Sequence, residues 1–200
     1  MCELSQEEGE LAVRIARESI EKMLEVETSG IETDNLPPIF SRNRGVFVTL
    51  EKSNSLRGCI GHPYPDSRLI NALEDSSRSA AFRDPRFEPL KKQELKEVTV
   101  EVTVLTPPQP IEGKAVERSK HVLIGKDGLI VKKGRASGLL LPQVAVDHNF
   151  SAEEFLDQTC LKAGLMPDAW LEDMTQVLMF QGQIFSEKEP GGKIIGTCFD

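Results

Sequence analysis

Residues 97–105 read EVTVEVTVL. Val98, Val100, Val102 and Val104 recur at every second position, with Thr99, Glu101 and Thr103 between them. A period of two places the valines on one face of a strand and the polar residues on the other, and β-branched residues suit that pleated surface. This stretch demands a sheet. The next demand is for a helix. SQEEGELAVRIARESIEKMLEV carries Leu11, Ile15, Ala16, Ile20, Met23 and Leu24 on one stripe at helical spacing. Ser5 and Glu8 form the S-x-x-E capping box at its start, and the acidic first turn suits the positive end of the helix dipole.

The remaining elements follow the same logic. GVFVTLEKSNSLRGCIG reads as a hairpin, with Lys52-Ser53-Asn54 as its turn. RLINALEDSSRSAAF reads as a helix with Asp66 or Ser67 as cap and Leu69, Leu73, Ser76 and Ala80 on one face. It ends where Asp84 precedes Pro85 and is pushed out of helical geometry. GLIVKKGRASGLLLPQV is a second hairpin. AEEFLDQTCLKA is a helix capped by Ser151 and Glu154 and ended by Gly164 in the left-handed conformation. VLMFQGQIFSE is a final strand in which Gly182 marks a bulge or a close approach.

A shift of 83 positions lays one half on the other: Gly45 falls on Gly128 and Leu56 on Leu139, while the capping serines Ser67 and Ser151 differ by 84. Strand, turn, strand and helix therefore recur at nearly constant spacing, which predicts a duplicated α+β unit within one domain spanning 1–200, with halves near 1–112 and 113–200. The period exceeds that of ordinary solenoid repeats.

Two hundred residues with a formal net charge of −8 argue against a general polyanion binder. The charge is uneven. Residues 1–34 hold ten acidic and three basic groups, and residues 114–135 hold seven basic and two acidic, so a local basic patch or a solvated hairpin is expected there. No apolar run approaches the ~18 residues of a membrane helix, and the acidic start resembles no targeting segment. The expected location is the cytoplasm. Cys2, Cys59, Cys160 and Cys198 contain no C-x-x-C pair, which argues against a zinc cluster, and a disulfide framework is not expected without a secretory signal. His62, His121 and His148 could meet only through the tertiary fold, so no metal site is predicted. H-E-x-x-H, phosphate-loop and dinucleotide fingerprints are missing, and the sequence names no cofactor.

The chemistry-bearing stretch is SLRGCIGHP, residues 55–63. Strict alternation places Leu56, Gly58 and Ile60 on one face and Arg57 and Cys59 on the other, about 6–7 Å apart. A guanidinium beside a thiol favours the nucleophilic thiolate. Gly58 and Gly61 leave backbone open to a ligand, and His62 could act as base, ligand or donor. The plainer alternatives are a packed, inert Cys59, a bulge at Gly58, and an Arg57 spent on a structural carboxylate. RDPRF, residues 83–87, is the second candidate: Asp84 and Arg86 flank a turn that could hold a carboxylate or phosphate, or could simply be ion-paired with Phe87 buried as an anchor. Under the shift of 83, Arg57 maps to Leu140 and Cys59 to Pro142, so the polar groups belong to the first copy alone. The candidates are thus Cys59 and His62 for catalysis, and Arg57, Gly58, Gly61, Asp84 and Arg86 for ligand binding.

LRGCIG preceded by GVFVTL, followed in order by DPRFEPL, VEVTVLTPP, GKDGLIV, SGLLLPQVAV, EEFLDQTCLKAGL and FQGQIF, resembles the AMMECR1 domain family from about Leu11 to Glu187. The resemblance implies an archaeal or bacterial member with two β-β-β-α-α-β-type repeats and largely antiparallel sheets. It carries no assigned reaction. It brings Leu56 to Gly61 across as motif positions, and a Memo-like or radical-SAM protein as partner, since some prokaryotic members are fused to or encoded beside these. Three functional expectations stand together: a ligand-binding or catalytic cleft at this strand, a non-catalytic interaction module, and an RNA-related role, which the acidic balance opposes. Self-association is left open.

Overall fold

The computed structural model describes residues 3–28, 30–32 and 35–197; Cys2 and Cys198 lie outside them. The chain divides into two compact units, Met1–Thr106 with Gln183–Asp200, and Pro107–Gly182. The expected halves were contiguous. Instead the C-terminal segment returns to the first unit, so the second is inserted between two strands of one sheet.

The first unit opens with α1 (Gln6–Met23), which has the expected Ser5/Glu8 capping box. Strands β1 (Val46–Lys52) and β2 (Ser55–His62) form the hairpin. Its two-residue loop holds Ser53 and Asn54 at φ 52° and 59°, the paired left-handed conformations that match the twist of a tight hairpin. Helix α2 (Leu69–Phe82) follows, then β3 (Val98–Leu105). Neither Asp66 nor Ser67 caps α2. The cap position is Arg68, without a side-chain bond, because backbone pins the entry: Leu69 N–H donates to Arg42 O at 2.8 Å and Arg44 N–H to Ser67 O at 3.3 Å.

In the second unit β4 (Gln109–Pro110), β5 (Gly128–Lys133), β6 (Ala136–Leu140), α3 (Pro142–Asp147), α4 (Ala152–Lys162) and β7 (Gln176–Phe180) run in the expected β-β-β-α-α-β order. The Ser151/Glu154 box caps α4, and Gly164 follows it at φ 74°. The expected single strand VLMFQGQIFSE splits at Gln181. β7 stays in the second unit, while β8 (Gly182–Glu187), with β9 (Ile194–Thr197), joins the sheet of the first.

The sheets are ordered β2-β1-β3-β8-β9 and β4-β7-β5-β6. The β1–β2, β1–β3, β5–β6, β5–β7 and β8–β9 pairs are antiparallel. In the first sheet Val46, Val48, Leu50 and the four valines of β3 are buried in one cluster with Ala12, Ile15, Ile20, Leu69 and Leu73 of α1 and α2. The alternation of β3 is therefore satisfied by a helical layer on its apolar face. Arg17 of α1 forks onto Glu187 of β8 at 2.6 and 2.5 Å, and Glu187 also takes the Val100 N–H at 3.0 Å. In the second unit Leu129, Val131, Phe155, Leu156, Trp170 and Val177 form the corresponding core.

The duplication is visible as the shared arrangements β2-β1-β3 and β6-β5-β7. Leu50 stands between Gly58 and Val100, and Val131 stands between Gly138 and Val177. A methyl group on Gly58 would overlap the Ala80 carbonyl oxygen near the end of α2; one on Gly138 would overlap the Ala163 backbone at the end of α4. Each glycine lets a helix end approach the backbone of the second strand. This register corrects the shift of 83: Cys59 corresponds to Leu139, not Pro142, and Ile60 to Leu140. The contrast survives at Cys59, whose counterpart Leu139 is apolar; Arg57 does not correspond to Leu140, because Leu56 and Gly58 match the adjacent residues Ser137 and Gly138 and leave it without a counterpart.

Candidate functional site

The register of β2 against β1 breaks between Leu50, opposite Gly58, and Glu51, opposite Leu56. Arg57 is the extra residue of a β-bulge, a feature that bends a strand and re-aims a side chain. This overturns the strict alternation. Leu56, opposite Glu51, now shares a face with Cys59, opposite Thr49, and Gly61, opposite Phe47. That face lies away from the helical layer. Leu56 is 43% exposed, whereas Cys59 is half-buried. Across it run rows of neighbours: Cys59, Thr49 and Glu101; Gly61, Phe47 and Thr103. The Thr49 hydroxyl donates to Cys59 Sγ at 3.4 Å. Burial, and then the Glu51 charge, push the Glu101 carboxyl above its usual range.

Arg57 does not extend over Cys59. Its Nε and Nη2 fork onto the two oxygens of Glu94, both at 3.1 Å. That pair, with the Lys91 N–H and Lys52 behind it, holds Glu94 down at about 2 against the pull of burial. The turn that ends α2 closes the outer edge of β2. Asp84, with its side chain only 2% exposed, accepts the Cys59 N–H at 2.9 Å. It also accepts Arg86 Nε at 2.9 Å, Nη2 at 2.7 Å and the Arg86 N–H at 3.1 Å. Arg86 Nη2 in turn donates to the Cys59 carbonyl at 3.1 Å. Arg86, first among these partners, holds the Asp84 carboxyl far below the usual carboxylate range. Both free backbone groups of Cys59 are thus taken by one ion pair, which also protects an edge strand from pairing.

Phe87, next in that turn, lies under both guanidiniums: Arg57 Cζ is 5.9 Å and Arg86 Cζ 5.5 Å from its ring centre, within cation–π range. Arg86 keeps its side chain 53% exposed. The Nη1 groups of both arginines have no hydrogen-bond partner among the described residues.

The structure therefore brings Arg57, Cys59, Asp84 and Arg86 together, with Phe87, Leu56, Thr49 and Glu94 beside them. Phe87 stood in the sequence reading only as an anchor, and Thr49 and Glu94 were not expected. Thr49 could be found from hairpin register; Glu94, 37 residues from Arg57, left no local signal. His62 stands apart. It is opposite Val46, on the helix side of the sheet, and its Nε2 meets Asp75 of α2 at 2.9 Å. Gly58 serves the approach of α2, and Gly61 gives room to the Phe47 ring. Among the described residues no three His, Cys, Asp or Glu side chains gather as a metal set. Of the two described cysteines, Cys160 is buried and its thiol is pushed up to about 11, chiefly by that burial. In the basic stretch 114–135, Arg118 donates to the Trp170 carbonyl and Lys133 pairs with Glu172 at 2.6 Å. No helix among the described residues is long and apolar enough to cross a membrane.

The chain is 52% identical to a Methanosarcina barkeri protein over 202 residues, covering 98% of each. It is 51% identical to a Methanothermobacter thermautotrophicus protein, covering 92% of this chain and 96% of that one. A Pyrococcus horikoshii protein of known crystal structure shares the fold at a TM-score of 0.80 and 45% identity, covering 98% of this chain and 99% of that one. The AMMECR1 profile matches residues 13–185. With LRGCIG on a bulged edge strand inside that span, and relatives of this identity along nearly its full length, the chain belongs to the AMMECR1 family.

Proposed function

We propose that the bulged edge of β2 and the turn Asp84–Phe87 form a binding site for a ligand bearing an anionic group, with Cys59 at its floor. One observation carries the reading: two guanidiniums flank the same phenyl ring, each is fixed by its own carboxylate, and each keeps Nη1 unspent. Arginines held in this way lose little rotamer freedom when a ligand arrives. The Phe87 ring beneath them helps hold both guanidiniums at one place. Binding is favoured over acid–base chemistry at Cys59, because His62 is engaged with Asp75 on the other side of the sheet and the polar side chains that meet the Cys59 thiol, the Thr49 hydroxyl and the Arg86 guanidinium, include no general base. The location proposed for this activity is the cytoplasm.

Alkylation tests it with two reagents of one shape and different charge. Iodoacetate and iodoacetamide are compared at the Cys59 peptide, each rate divided by that of a free thiol. The expected result is a normalised iodoacetate preference of about fivefold at low salt, on the order of one exposed ion pair. The preference falls in R86Q and with added salt. Equal normalised rates, unchanged in R86Q, overturn the proposal.

A second reading, docking of a Memo-like or radical-SAM protein, is supported by Leu56, a motif leucine left 43% exposed on the Cys59 face. A protein covering that face would slow both reagents equally.

A further inference from the structure

The second unit carries a groove of about 390 Å³ between β6, α3 and α4. Its walls are Leu140, Val144, Phe150 and Leu161, and its polar members include His148 and Lys162. Apolar walls with a few converging polar groups, at a volume near the lower end of the usual 300–1,000 Å³, describe a small-molecule site. The His148 and Phe150 rings stack at 5.2 Å with 16° between their planes, which makes part of the wall flat.

The charge at this groove is one-sided. Lys162 makes no ion pair among the described residues, and the acidic side chains of its own helix are engaged elsewhere. Glu154 takes the Ser151 N–H at 2.8 Å, Glu153 takes the Ser119 hydroxyl at 3.4 Å, and Asp157 takes the Trp170 indole N–H at 2.7 Å. An ammonium group without an ion-pair partner among the described residues, in a groove that no carboxylate lines, suits an anion with a hydrophobic body.

Comparison with the first unit offers a reason for the groove. There one helix, α2, follows β2. In the second unit the helical layer is broken into α3 and α4, and the groove lies at the break, next to Leu140, the counterpart of Ile60. We propose that this break forms a binding site for a small organic carboxylate with a flat apolar body. The body lies against Leu140, Val144, Leu161 and the stacked rings, and the carboxylate meets Lys162.

The test uses the full chain, methyl-resolved NMR, and two isosteric probes: indole-3-acetate and indole-3-acetamide. Indole-3-acetate is expected to shift the Leu140, Val144 and Leu161 methyls and to bind about fivefold more tightly than the amide, the size of one exposed ion pair. K162Q is expected to bring the acid down to the level of the amide and to leave the amide unchanged. R86Q is expected to affect neither, which keeps this site distinct from that at Cys59. Shifts confined to other methyls, no shifts at millimolar probe, or equal binding of acid and amide in the unaltered chain each overturn the proposal.

Discussion

At Gly58 a hydrogen in place of a methyl group decides whether α2 can lie where it does. The atom a methyl would strike is a backbone carbonyl oxygen of Ala80, which no side-chain rotation can move aside. Gly58→Ala is therefore expected to cost about 3 kcal/mol, the upper part of the range for overpacking a core, read as a lower urea midpoint at unchanged slope. Gly134→Ala is the control. Its position has φ 59° but no atom within 4 Å of the added methyl, so only left-handed strain of about 1–2 kcal/mol applies. A difference no larger than error between the two variants would remove the packing account. The sequence offered two readings of Gly58, a bulge or backbone open to a ligand; the bulge falls on its neighbour Arg57, and the open backbone is filled by the end of α2. The fate of Arg57 was less legible: the carboxylate that takes it lies 37 residues away in a short 3-10 turn, Lys92–Lys96, and no periodicity announces such a pair.

Among the elements, β2 depends most on charges brought from elsewhere. Its bulge turns Arg57 toward Glu94, and its outer backbone groups at Cys59 are held by Asp84 and Arg86. Glu94 has a folded value depressed to about 2 from an ordinary 4.5. A depressed carboxylate stabilises the fold once ionised in both states. Its contribution is full above about 4.5 and is lost as pH falls from there toward about 2. Arg57→Gln removes the largest source of that depression. The variant is expected to lose about 1.5–3 kcal/mol at pH 7, as for hydrogen bonds to charged groups. Its acid unfolding, followed by circular dichroism, moves to higher pH. An acid midpoint equal to that of the unaltered chain would show that Lys52 and the Lys91 N–H suffice for Glu94. The same strand shows where element-level reading stopped. The hairpin, its turn and the capping boxes were local and therefore readable. The residue at which β2 bulges was not, because an extra residue leaves composition unchanged and shows only against the partner strand. The division of VLMFQGQIFSE between two sheets was hidden for a similar reason: both pieces are apolar strands, and nothing local says which sheet each joins.

In the whole molecule the first unit is finished last. Its sheet lacks two of five strands until β8 and β9 are made, although residues 107–182 have by then supplied the whole second unit. The returning segment brings Phe185 into the core and Gln183 onto both backbone groups of Leu4, at 2.9 Å each. It also brings Glu187, which takes Arg17 and the Val100 N–H. Without it Arg17 is left beside a buried face with no forked partner, a loss of the kind that costs several kcal/mol. A chain ended after Gly182 is thus expected to lose the first unit and keep the second. The only tryptophan, Trp170, reports on the second unit, buried with its indole N–H on Asp157. In the shortened chain Trp170 emission should stay blue-shifted and shielded from acrylamide, while far-UV circular dichroism loses the strand and helix signal of the first unit. Emission red-shifted to that of the urea-unfolded chain would mean that the second unit does not hold its core alone. Equal far-UV signal per residue in both chains would mean that α1, β1, β2, α2 and β3 need no returning strand. The expected split follows from the core itself, because the residues of each hydrophobic cluster fall within one unit. Only the first of those clusters draws on the C-terminal strands.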